Sequence, residues 1–188
     1  AGLVVNSVEP NDEMRKHGNI RTETYPNVQW FEGVGEATGQ GDNSFKLVSF
    51  GSSFNVCDRL PTLVEVNRIG LSNAWFAAMW NHRNLNDPIQ QKIEDIIKTQ
   101  VPDYGYGVRR EDQTDIINQS GLFDEVVKFS GDIVHTQMLP EVVEAWRSHA
   151  TLERQAGDKF LTVVSDIEDY LNSLGVPSID VPYTTNVW

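Results

Sequence analysis

Trp80-Asn81-His82-Arg83 brings an indole, an amide, an imidazole and a guanidinium into four consecutive residues. An imidazole titrates near neutrality and can take a proton from an attacking hydroxyl, while a guanidinium holds an anionic group beside it. The alternative for His82 is a ring hydrogen-bonded at the end of a strand. Tyr104, Tyr106, Arg109 and Arg110 form a second group, suited to covering a planar or carboxylate-bearing small molecule. The same residue types also make a solvated loop that caps helices. A third set lies nearer the N-terminus. Glu9, followed by Pro10, ends an apolar run, where a carboxylate can accept hydrogen bonds from a ribose cis-diol. Gly35-Glu36-Ala37 is small enough for backbone to approach a purine edge. Phe50-Gly51-Ser52-Ser53 offers carbonyls and hydroxyls to a charged, amino-acid-like group.

Other chemistries find no foothold. His17, His82, His135 and His149 lack metal-ligand spacing, and the single Cys57 has no partner cysteine, so neither a metal nor an intrachain disulfide is expected. There is no Gly-x-Ser-x-Gly elbow and no Gly-Lys-Ser/Thr phosphate loop. Fifteen basic against twenty-seven acidic residues give a net charge of −12 over 188 residues. That balance disfavours nucleic acid and anionic membrane surfaces, and favours a small-molecule partner. No run approaches the ~20 apolar residues of a membrane span, and no leader precedes Leu3, so a cytoplasmic protein is expected.

The positioning elements follow from periodicity. Val4 to Val8 reads as a buried strand, followed by a short helix that Gly18 stops. Val28 to Glu32 and Phe45 to Phe50 are further strands. Leu60, Leu63, Val64, Val66 and Ile69 repeat as a helical stripe after Pro61. The wholly apolar Ala74 to Trp80 suits a strand covered on both faces. Asp87-Pro88 opens a helix that Pro102 ends, and a short helix over 114–120 stops at Gly121. Phe123 to Ile133 reads as one strand or a strand and a turn, two helices follow through Val142 to Trp146 and Phe160 to Leu171, and Ile179 to Trp188 is the last strand. The expected fold is α/β, a Rossmann-like, mostly parallel sheet with helices on both faces. It forms one domain over residues 1–188, with a helical insert at 87–120 and a helical segment at 140–175. In such a sheet ligands gather beyond the carboxyl ends of the strands, where the first and third candidate groups sit.

Val8-Glu9-Pro10-Asn11 through Met14-Arg15, Gly35-Glu36-Ala37, Asp42-Asn43-Ser44-Phe45, Leu47-Val48 and Glu65-Val66-Asn67-Arg68-Ile69 resemble the class I S-adenosylmethionine-dependent methyltransferases of the small-molecule type, over roughly Leu3 to Arg83. The resemblance implies S-adenosylmethionine as cofactor and S-adenosylhomocysteine as product. Glu9 would hold the ribose hydroxyls, with Pro10 beside it, and Met14 would pack on the adenine. Gly35, Glu36 and Ala37 would border the adenine edge, and Phe50 to Ser53 would meet the methionine moiety. His82 would be the base, and Trp80, Asn81, Arg83, Tyr104, Tyr106, Arg109 and Arg110 the acceptor site. The family's first strand and its glycine-rich turn have no counterpart ahead of Leu3. The expectation is therefore an N-terminally truncated domain whose open sheet edge takes the missing segment or a second copy in a homodimer. Val34 stands where many relatives carry an acid for the adenine amino group. A non-catalytic, methyltransferase-like binding or scaffolding module and a nicotinamide-dependent oxidoreductase are the competing readings.

Overall fold

The computed structural model describes residues Gly2 to Trp188. In chain order the elements are β1 (Val5–Val8), α1 (Asp12–Thr22), β2 (Val28–Phe31), β3 (Phe45–Gly51), α2 (Arg59–Ile69), β4 (Gly70–Arg83), α3 (Pro88–Gln100), α4 (Thr114–Ser120), β5 (Phe129–Met138), α5 (Leu139–Arg147), α6 (Ala150–Ala156), α7 (Phe160–Ser173) and β6 (Ser178–Val187). Contacts divide the chain into two compact units. One holds the residues up to Met79 with Asp112–Lys128 and Val187–Trp188, the other Trp80–Glu111 and Phe129–Asn186.

In the first unit β1 and β2 run parallel, in register from Val5 opposite Val28 to Val8 opposite Phe31. Asn11 caps the intervening α1, its side chain accepting from Met14 N at 2.9 Å, and Asp12 and Glu13 complement the helix dipole. The expected stop at Gly18 does not occur, because α1 continues to Thr22. Gly18 serves close approach instead. A Cβ there would lie 2.3 Å from the Trp30 ring, whose Nε1 donates to Thr22 Oγ1 at 2.9 Å.

β3 runs parallel to β4, with Leu47 opposite Trp75 and Gly51 opposite Met79. The expectation that Ala74 to Trp80 is covered on both faces fails at Trp75, which is 69 % exposed, as is Leu47 beside it at 53 %. The alternate face is covered. Phe76 meets Phe50, Phe54 and Phe123 at centroid separations of 5.3 to 5.9 Å. An apolar run records what a strand can bury, whereas coverage depends on what packs over it. The same distinction corrects α2. Leu63, Val66 and Ile69 are buried together with Thr62 and Glu65, while Leu60 and Val64 face outward.

The second unit has the larger continuous core: Ile93 and Ile97 of α3, Val142, Val143 and Trp146 of α5, Val163, Val164, Ile167 and Leu171 of α7, and Ile179 and Val181 of β6. Helical spacing of those residues made each helix legible. Asp87 caps α3 through Ile89 N and Gln90 N, both at 3.0 Å, with Pro88 in the first turn. The strand expected over 123–133 lies instead at Phe129–Met138, and α6 adds a helix capped by His149. Ser130 bonds Asn186, Asp132 bonds Thr184 and Thr136 bonds Asp180, a constant residue sum that makes β5 and β6 antiparallel. Asn84 N donates to Pro182 O at 2.8 Å and Thr185 pairs with Asn81, so β6 also opposes β4. β5 therefore runs with β4, and β6 is reversed against both. The architecture is α/β with mostly parallel strands.

Candidate functional site

The first unit places Glu9 directly after β1. Its Oε1 accepts from Asn11 N at 2.9 Å, its carbonyl accepts from Arg15 Nη1 at 2.8 Å, and its N–H continues the ladder to Phe31 O. The carboxylate is thereby oriented, and among the described residues its second oxygen has no partner. A strand-end acid with one oxygen unengaged fits a sugar diol. Pro10 is exposed, and so is Met14, at 61 %.

Gly35 is locked in place, since a Cβ there would lie 2.7 Å from Cys57 Sγ and 3.3 Å from Phe50 Cε1. Val34 and Ala37 exchange backbone hydrogen bonds at 3.3 and 3.1 Å, closing a tight turn. Glu36 plays a different part, because its Oε1 accepts from Asp58 N, where the Asp58 side chain leaves the start of α2 uncapped. Burial and the Glu36 carboxylate push the Cys57 thiol up, which suits an unreactive sulfur.

The segment after β3 turns sharply, with Ser52 in the left-handed region at φ 54° and its N–H bonded to Met79 O at 2.8 Å. Gly51 and Ser52 are exposed. Phe50 is committed to the aromatic cluster with Phe54 and Phe76, and the Ser53 carbonyl is taken by Val56 N and Cys57 Sγ. Met14, Gly51 and Ser52 are thus exposed and one Glu9 oxygen is unengaged, whereas Glu36, Phe50 and the Ser53 carbonyl hold structure.

Motif spacing does not reveal the device that fixes these loops. Glu65, buried in α2, accepts from Thr38 N at 2.8 Å, Thr38 Oγ1 at 2.5 Å, and Arg68 Nε and Nη2 at 2.7 Å each. Arg68 reaches on to Asp42 and to Gln40 O. The guanidinium and the Thr38 donors hold the Glu65 carboxyl down at about 2. A glutamate one helical turn before an arginine was the available signal.

In the second unit β4 ends with the other candidate group. Trp80 is buried and Asn81 exposed, so strand alternation returns His82 to the interior at 8 % exposure. Its Nε2 is buried with no hydrogen-bond partner. Burial, reinforced by Arg110 and Arg109, lowers the His82 pKa to about 4. The ring is neutral at pH 7.

Around it Arg110 donates through Nη2 to Arg83 O at 3.0 Å and stacks on Tyr106 at 4.3 Å, and Arg83 stacks on Trp146 at 4.3 Å. Tyr104 and Tyr106 meet edge to face at 5.4 Å, and Tyr106 OH donates to Glu94 Oε1. The sequence grouping of Arg83, Tyr104, Tyr106, Arg109 and Arg110 with His82 is thus spatial as well. It omitted His149, whose ring lies 5.1 Å from Trp146 and whose Nδ1 accepts from Leu152 N at 3.1 Å. Burial, then Arg83 and Arg109, lower His149 to about 4 also. A cavity of about 280 Å³ opens here, lined by His82, Arg83, Arg110, Thr184 and Asn186 among others. Among the described residues no three His, Cys, Asp or Glu side chains are grouped to hold a metal ion, and no helix is long and apolar enough to cross a membrane.

No family model matches the sequence, and no curated protein matches it. Solved structures do. A provisionally assigned type II methyltransferase from Anaeromyxobacter dehalogenans is 15 % identical, with a TM-score of 0.53 over 97 % of this chain and 77 % of that one. A provisionally assigned methyltransferase from Bacillus halodurans is 11 % identical, with a TM-score of 0.54 over 97 % and 80 %. The phosphoethanolamine N-methyltransferase 2 of Haemonchus contortus, solved with phosphomonomethylethanolamine and S-adenosylhomocysteine, is 14 % identical, with a TM-score of 0.50 over 99 % and 43 %. The chain has the Rossmann-like fold of the class I S-adenosylmethionine-dependent methyltransferases.

Proposed function

We propose that this chain transfers a methyl group from S-adenosylmethionine to a small-molecule acceptor. The observation that carries the reading is Glu9: on a fold shared with methyltransferases, it ends β1 with one carboxylate oxygen fixed by Asn11 and the other unengaged. Glu9 would hold the ribose hydroxyls, Met14 would cover the adenine next to the Gly35 to Ala37 turn, and Gly51 and Ser52 would meet the methionine end. When bound, the cofactor's sulfonium supplies an electrophilic methyl group. The residues around His82 would serve the acceptor. There His82 accepts a hydrogen bond at Nε2 from the acceptor's hydroxyl or amine and takes its proton as the new bond forms. Arg83, Arg109, Arg110 and the two tyrosines hold the rest of the acceptor.

Calorimetric titration with S-adenosylhomocysteine tests the reading. Binding should be measurable and should weaken by about 1–3 kcal/mol in Glu9→Ala through loss of charge-assisted hydrogen bonds. Equal affinity in the two proteins removes Glu9 from the site. No binding by either, with both folded, favours the non-catalytic module, a reading supported by the commitment of Glu36 to α2.

A further inference from the structure

Among the described residues six buried polar atoms of the second unit lack hydrogen-bond partners: His82 Nε2, Gln90 Nε2, Glu94 Oε2, Tyr104 OH, Arg109 Nε and Trp146 Nε1. Native interiors seldom leave such groups unpaired, because each costs roughly 1–3 kcal/mol of desolvation. Several of them converge on one place. Arg83 lies on the Trp146 ring, itself 5.1 Å from the His149 ring, Arg110 donates to Arg83 O at 3.0 Å, and the charges of Arg109 and Arg110 act on His82. Among the described residues none of Arg83, Arg109 and Arg110 has a carboxylate within ion-pair distance. The neighbouring Glu94 is engaged by Tyr106 OH and by Lys98 at 3.7 Å. Three guanidiniums without a counter-anion are unusual in a chain with a net charge of −12. They concentrate positive potential at a cavity, and planar donors of this kind match a carboxylate or phosphate.

His82 adds a second requirement. Its buried Nε2 has no hydrogen-bond partner, and in a neutral ring with the proton on Nδ1 that nitrogen presents a lone pair, which repels an oxyanion and accepts from a hydroxyl or amine. We propose that the cavity bounded by His82, Arg83 and Arg110, with Arg109 behind it, binds a small oxyanion that carries a hydroxyl or amine donor near its charged group. The anionic group lies toward the guanidiniums and the donor lies on His82 Nε2. As an identification of the methyl acceptor's class this rests on the function proposed above. As a binding site it stands without the cofactor, and the cavity's volume of about 280 Å³ limits it to small molecules.

Three isosteric probes separate the two requirements: lactate carries a carboxylate and a hydroxyl, propionate lacks the hydroxyl, and propane-1,2-diol lacks the anion. Titrated into the whole chain without cofactor and followed by isothermal calorimetry, lactate should bind. Propionate should bind about tenfold more weakly, and the diol should not bind. Arg110→Gln, at an exposed position that leaves the core intact, and Arg109→Gln should each weaken lactate about tenfold. His82→Asn should bring lactate and propionate to similar affinity. Equal response to lactate and propionate in the unaltered protein overturns the His82 assignment, and equal response to the diol overturns the anion site. Silence to all three in the folded protein overturns both. S-adenosylhomocysteine bound with lactate refused sinks this proposal alone, whereas lactate bound with S-adenosylhomocysteine refused sinks only the methyl-transfer reading.

Discussion

Each unit buries a charged cluster, and the two are finished differently. Around Glu65 every group is matched: two donors from Thr38 and two from Arg68 surround one carboxylate, and the remaining arms of Arg68 find Asp42 and Gln40. Asp112 in the same unit is as well supplied, by Lys128 at 2.8 Å, Thr114 N at 2.9 Å and Trp188 Nε1 at 3.0 Å, and is held well below the usual carboxylate range. Around His82 in the second unit, donors and lone pairs are buried and left open. Burial of charge is common to both and so does not mark function. Completion separates them: the saturated network fixes a loop, and the unsaturated one borders the cavity on which the binding proposal rests.

The largest effect should come from opening the finished network. Glu65→Ala strands Thr38 N–H and removes the main partner of Arg68, so denaturant unfolding should show a loss of about 3 kcal/mol. A loss under about 1 kcal/mol would mean that the network is ornamental and would erase the contrast.

Acid should separate the clusters by pH window. Unfolded, the two imidazoles bind protons near 6.5, and folded only near 4, so in that interval the unfolded chain holds more protons. Stability contributed through the second unit therefore falls as pH drops from about 6.5 to 4. Glu65, ordinarily near 4.5 and folded at about 2, contributes stability above 4.5 that is lost between 4.5 and 2. Unfolding free energy measured against pH should show the upper window flatten in His82→Asn and the lower one flatten in Glu65→Gln. A single shared window would contradict the separation.

Smaller and more pointed is a pair of hydroxyl deletions. Thr38→Val removes an oxygen that Glu65 uses at 2.5 Å and should cost about 1–2 kcal/mol. Tyr104→Phe removes a buried hydroxyl without a hydrogen-bond partner and should change stability by less than about 0.5 kcal/mol. Comparable losses in the two variants would show that the second cluster is already satisfied within the fold.

Local chemistry in the sequence was enough to determine much of this chain. The 3.6-residue spacing of Ile89, Ile93, Ile96 and Ile97 and of Phe160, Val163, Val164, Ile167 and Leu171 specified α3 and α7, because each buries one stripe whatever lies opposite. Asp87-Pro88 marked a helix start, Gly121 a helix end, and the alternation of strands and helices marked an α/β fold. His82 with Arg83, and Tyr104 to Arg110, were legible as a group because residue type alone says what a side chain can donate or accept.

Tertiary structure decided what those groups do. Gly18 looked like a stop and proved to be a seat for the Trp30 ring, since local sequence cannot report an indole twelve residues away. Trp75 looked buried and is 69 % exposed, since coverage belongs to the neighbouring layer. Glu36 looked like a ligand contact and accepts from Asp58 N at the start of α2, while Glu65, in the sequence one residue of the Glu65 to Ile69 run, is the hub. The direction of β6 and the gathering of His149 with Arg83 and Arg109 depend on contacts between segments far apart in the chain. Whether a polar atom is paired or left waiting is a property of the assembled interior, because its partners are recruited by packing and not by spacing.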